Sequence, residues 1–163
     1  MAALDIRVNI SRQNVSLSCD DTALRLDAAS WHSVIPLRDI RFVANFAHGT
    51  YISLRKDHMV SPRKKHAGRF VCITGVPEPL RLPGSVECFD FTNPDRTFIG
   101  FTGRSALHVS ESGLLAVAGN GGCDLVRLSD VHTVILQRTT GGMSMFDLAV
   151  LPTKSGRKLE VDN

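Results

Sequence analysis

The feature that most constrains this chain is an echo. Leu37-Arg38-Asp39-Ile40 and Leu128-Ser129-Asp130-Val131 each open the phrase Leu-x-Asp-(Ile/Val)-x-x-Val, and the two copies begin 91 positions apart. An internal repeat outranks local propensity, because each copy must be a unit that folds the same way. Shifted by that interval, Asp5 to Phe46 lies without a gap on Arg96 to Gln137. Apolar residues then coincide at Val8 with Ile99, Leu24 with Leu115, Leu26 with Val117, Val34 with Leu125, Ile40 with Val131 and Val43 with Val134. The spacing alternates, which is the period of strands with one buried face. Past this block the register slips, but the order of features continues. Gly49 to Asp57 corresponds to Met143 to Leu151, and His66 to Thr74 to Lys154 to Asp162, each pair being a strand, a Gly-containing turn and a returning strand.

Each copy therefore predicts six or seven short strands and almost no helical periodicity. Between them, Gly75 to Thr97 carries Pro77, Pro79, Pro83 and Pro94. Proline fixes φ and lacks a donor, so this stretch predicts a connector with one short strand at Val86 to Phe91. Antiparallel units of this size shelter their edges by curling into partly open barrels. The expected fold is all-β: a first barrel over residues 1–76, a Pro-rich connector over 77–95 and a second barrel over 96–163. A chain of 163 residues with 43% hydrophobic content suffices for two small cores.

Composition narrows the function. No apolar run approaches the roughly 20 residues that span a bilayer, and the N-terminal residues are too polar for a secretory signal, so a soluble intracellular protein without a transmembrane segment is expected. Cys19, Cys72, Cys88 and Cys123 have no CxxC spacing and are expected as buried free thiols. The histidines His32, His48, His58, His66, His108 and His132 show no metal-ligand spacing. GxSxG and phosphate-cradling glycine loops are absent. Asp130 and His132, two apart on an expected strand, resemble a dyad but read as a surface pair. No enzyme, cofactor or metal is expected.

Two copies of a small antiparallel barrel, with a Ser112-Gly113-Leu114-Leu115 strand, the run Leu128-Ser129-Asp130-Val131, the exit Val134-Ile135-Leu136-Gln137-Arg138-Thr139 and Phe146-Asp147-Leu148 before a Lys-Ser-Gly turn, resemble one known family. It is the tandem pleckstrin-homology-like module of histone chaperones, as in the middle domains of the FACT complex and related nucleosome-assembly chaperones. DIRVNI, VIPLRDIRFV and RFVCITGVPEPL in the first copy are similar to that family's opening strands. The resemblance implies two pleckstrin-homology-like barrels, nuclear localisation, and the binding of arginine-rich core histones alongside other chromatin-complex subunits. It carries Gln137, Arg138 and Thr139 as candidate histone contacts. The C-terminal capping helix of such barrels is not evident in either copy.

A net charge of +3 says little, but its distribution says more. Arg55, Lys56, Arg63, Lys64, Lys65 and Arg69 crowd into one hairpin. Arg63, Lys64, Lys65 and Arg69 are candidate contacts to the phosphates of double-stranded DNA, which clustered cations grip without reading sequence. With one Trp and one Tyr, a base-stacking platform is disfavoured. The alternatives are an adaptor whose same hairpin meets anionic lipid headgroups, and one that docks a partner peptide at an open sheet edge.

Overall fold

The computed structural model describes residues 4–60, 67–99, 105–119, 122–139, 145–152 and 159–161, with side chains for 4–60, 69–97, 99, 105–119 and 122–133. The chain divides into two compact units, Met1–Asn93 and Pro94–Asn163. It is all-β, and its sheets are open.

Unit 1 begins as a meander of β1 (Leu4–Ile10), β2 (Gln13–Cys19), β3 (Ala23–Ala28) and β4 (His32–Pro36), paired in that order. Alternation predicts this directly: in β2, Val15, Leu17 and Cys19 are buried while the residues between them are less so, because successive side chains leave opposite faces of a strand. The β1–β2 turn has only two residues between the paired Ile10 and Gln13. Ser11 and Arg12 both take positive φ there, as the right-handed twist of a two-residue hairpin demands. Trp31 precedes β4, is buried, and donates from Nε1 to Gln13 Oε1 at 2.7 Å. The neighbouring His32 is exposed.

A 3-10 turn at Leu37–Asp39 leads into β5 (Ile40–Phe46), β6 (Gly49–Met59) and β7 (Ala67–Ile73), which form a second sheet. Paired backbone bonds between Asn9 and Thr74, at 2.9 and 3.0 Å, join the two sheets at one corner. The core between them contains Val8, Leu17, Leu24, Leu26, Ile35, Val43, Ile52, Val71 and Ile73.

The Pro-rich stretch does more than connect. Leu80 and Leu82 are buried in that same core, with Val76, Val86 and Cys88 packed against it. β8 (Glu87–Phe91) then adds to the free edge of β5 in parallel, Phe42 facing Glu87 and Phe46 facing Phe91. Asn45, itself buried, fastens the segment. Its Nδ2 donates to the carbonyls of Leu80 (3.0 Å) and Phe89 (3.2 Å), while its Oδ1 accepts from Leu80 N–H (2.7 Å) and Thr50 Oγ1 (2.8 Å). Both donors and both lone pairs of the amide are thereby used. An extended apolar segment thus packs on this core.

Unit 2 repeats the order: β9 (Arg96–Ile99), β10 (Ser105–Val109), β11 (Leu114–Gly119) and β12 (Gly122–Arg127) in one sheet, a 3-10 turn at Leu128–Asp130, then β13 (Val131–Thr139), β14 (Met145–Pro152) and β15 (Leu159–Val161) in another. The repetition reaches single bonds. Leu37 N–H donates to Thr22 O at 2.9 Å, and Leu128 N–H to Gly113 O at 2.7 Å. Each 3-10 turn closes with a bond to its leucine carbonyl, from Ile40 N–H and from Val131 N–H. The β5–β6 ladder is irregular between Ile40 and Phe42, and the β13–β14 ladder between Val131 and Thr133. All these pairs of positions stand 91 residues apart, so the echo in the sequence is an echo in backbone geometry.

Candidate functional site

The strongest cationic feature is the β6–β7 hairpin of unit 1. β6 runs 11 residues, and its pairing with β7 breaks register between Ser53 and His58 before resuming at His58 with Gly68 and Met59 with Ala67. Near the tip, Arg55, Lys56 and Asp57 are exposed. Lys56 and His58, two apart and so on one face of the strand, both reach Asp39 in the 3-10 turn. Lys56 Nζ lies 3.1 Å and His58 Nε2 3.0 Å from Asp39 Oδ2. Asp39 is buried. Burial alone would disfavour its charge, but the hydrogen bonds from Lys56 and His58 outweigh that and hold its carboxyl below the usual range. The clasp ties the outer end of β6 to the turn that opens β5.

Of the four residues expected to meet phosphate, Arg69 lies on β7, is exposed, and has its Nε 3.4 Å from Asp57 Oδ1. A surface pair of this kind contributes little to stability and exchanges readily for another anion. Arg63, Lys64 and Lys65 lie outside the described residues. The expected histone contacts Gln137, Arg138 and Thr139 end β13, in register with Asp147, Phe146 and Met145 of β14. Those two sets of residues belong to different units. Residues 140–144 of the loop that follows lie outside the described residues.

The Asp130–His132 pair differs from its expectation. Asp130 closes the 3-10 turn and only His132 is on the strand, so the rule that residues two apart share a face does not apply. Of the cysteines, Cys19 is buried and the other three are partly so, all as free thiols. Burial pushes Cys123 up to about 12, which leaves it protonated and unreactive at neutral pH. Among the described residues no three His, Cys, Asp or Glu side chains gather to hold a metal, and no helix is long and apolar enough to cross a membrane.

Two features escaped sequence reasoning. One is the Asp39–Lys56–His58 clasp, whose only signal was the acid inside the repeated Leu-x-Asp phrase. The other is an open pocket of about 420 Å³ in unit 1, lined by the β5–β6 turn at Ala47, His48 and Gly49, by Pro77 and Glu78, and floored by Asn45. His48 stacks on Phe46 at 5.5 Å between centroids, and partial burial lowers its pKa so that it is neutral at pH 7. The aromatic series continues from Phe46 to Phe91 (5.3 Å, stacked) and to Tyr51 (5.6 Å, edge-on).

Compared with protein-family models and with curated proteins, the chain matches none.

Proposed function

We propose that this protein is a non-catalytic histone chaperone module: two pleckstrin-homology-like barrels that bind arginine-rich core histones in the nucleus during nucleosome assembly or reorganisation. Its basic hairpin would hold DNA phosphate as an auxiliary contact. The observation that carries the reading is the duplicated strand order, four strands, a 3-10 turn and three strands, repeated down to individual backbone bonds. A tandem barrel is what the resemblance to these chaperones calls for. The clasp at Asp39 adds to it, since it ties the outer end of β6, beside the exposed Arg55, to the turn that opens β5. In mechanism, the module would cover histone surface that otherwise adheres indiscriminately to DNA, while the patch keeps it near duplex.

The test is a pull-down with purified core histones at ~0.3 M salt, where charge-only contacts are largely screened. Retention of histones is expected, and complete loss would end the histone reading. Duplex shift assays test the patch separately. Arg63→Glu, Lys64→Glu and Lys65→Glu together should flatten the salt dependence of DNA binding, each lost phosphate contact reducing the log–log slope by about 0.9. If the triple variant instead loses binding to anionic liposomes while wild type never shifts DNA, the hairpin is a membrane-surface contact.

A further inference from the structure

The two units share a strand plan but not a cover. In unit 1 the free edge of β5 is taken by β8 in parallel, and the segment leading to it lays Leu80 and Leu82 into the core. In unit 2 the strand equivalent to β5 is β13. It stands at the end of the order β13-β14-β15, and among the described residues no strand lies against its other edge. The side chains register the same difference. Val8 shares a cluster with Leu80 and Leu82 and is 1% exposed, whereas its counterpart Ile99 is 73% exposed. Leu37 packs against that cluster, whereas its counterpart Leu128 is 54% exposed. Leu26 and Ile35 are wholly buried, and their counterparts Val117 and Val126 are partly open.

We propose that the β13 edge of unit 2, with Ile99 and Leu128, is an acceptor for an acidic, extended segment of a partner polypeptide, which adds parallel to β13 as β8 adds to β5. Strand addition at an open edge gains main-chain hydrogen bonds for affinity and alternate side chains for specificity, and unit 1 displays the completed arrangement. Charge selects the partner. From Arg127 to Thr139 the chain carries Arg127 and Arg138 against one carboxylate, Asp130, whereas the segment that covers unit 1 carries Glu78, Glu87 and Asp90 against one cation, Arg81. A cationic edge whose twin is covered by an acidic strand calls for an acidic strand. The occupant is therefore chemically unlike a histone, and the inference stands whether or not histones bind.

The experiment uses the full chain and two synthetic probes: a peptide of residues Gly75–Asn93 with Cys88→Ser, and the shorter Val86–Thr92. The shorter one omits Leu80, whose backbone Asn45 holds in unit 1 and which Leu136, the counterpart of Asn45 in unit 2, could not hold. Saturable binding is expected by calorimetry. Amide hydrogen exchange should slow about tenfold in β13 on saturation and stay unchanged in β5, whose edge is already filled. Replacing Glu87 and Asp90 of the peptides with Lys should weaken binding about tenfold, and so should Ile99→Asp with Leu128→Asp in the protein, a pair exposed enough to leave the fold intact. The proposal is overturned if neither peptide slows exchange in β13 at ~1 mM, or if β13 in the chain alone exchanges as slowly as β5. It is equally overturned if protection follows protein concentration instead of peptide, which would make a second copy the occupant.

Discussion

Unit 1 and unit 2 follow one strand plan, and their described residues differ in how deeply they are buried. Unit 1 gathers a continuous core of wholly buried aliphatic residues under its Pro-rich segment. The described core of unit 2 centres on Leu107 and Leu115, with Val109, Val117, Val126 and Val131 only partly buried. At the position of Leu17, deep in unit 1, unit 2 has His108, buried and 3.3 Å from Thr97 Oγ1 through Nδ1. Backbone plan and core quality are thus separable: turns and ladder bonds fix the first, while the second depends on what lies across the open faces.

The comparison is sharpened most by core truncation. Ile35→Ala should destabilise unit 1 by about 2–5 kcal/mol, since a fully buried aliphatic side chain leaves a cavity. Val126→Ala, at the matching position, should cost under about 1 kcal/mol. Equal losses in denaturant titrations would break the distinction. Next in size is Asn45→Ala, which strands the Leu80 amide and two carbonyls in the interior. It should cost about 2–3 kcal/mol and speed amide exchange at Leu80 without touching β13.

Acid should act on unit 1 through Asp39. Because its folded pKa lies below the unfolded value near 3.9, its contribution is complete above about pH 5 and is lost as pH falls through the folded pKa. Asp39→Asn should remove that part of the pH dependence, checked by melting unit 1 between pH 6 and pH 2. Smallest is a gain. Arg12→Gly should stabilise unit 1 by about 0.5–1 kcal/mol, because Arg12 holds a left-handed φ of 65° that glycine adopts without strain. Unit 2 already carries Gly103 at the corresponding position, so the substitution also asks whether the copies have diverged there at a cost.

Much of the plan was legible in the sequence. Alternation located the strands, and the Val86 to Phe91 strand inside the Pro-rich stretch appears as Glu87–Phe91. The rest was hidden for definite reasons. Leu-x-Asp reads as the end of a strand by alternation, but it folds as a 3-10 turn, whose three-residue bonds leave no periodic trace. Asn45 reads as a polar break inside an apolar strand, because its partners are backbone groups of Leu80 and Phe89, and backbone groups are invisible to composition. Arg69 looked like one more free cation of the patch. Its partner Asp57 was in plain view, yet only the register of β6 against β7 decides that they meet.

Trp31 is the only tryptophan of the chain, and it sits in unit 1, buried with its indole N–H bonded to Gln13. Its fluorescence therefore reports the melting of one half alone. Far-ultraviolet dichroism sums both halves, so the gap between the two traces isolates the half that carries no optical label of its own.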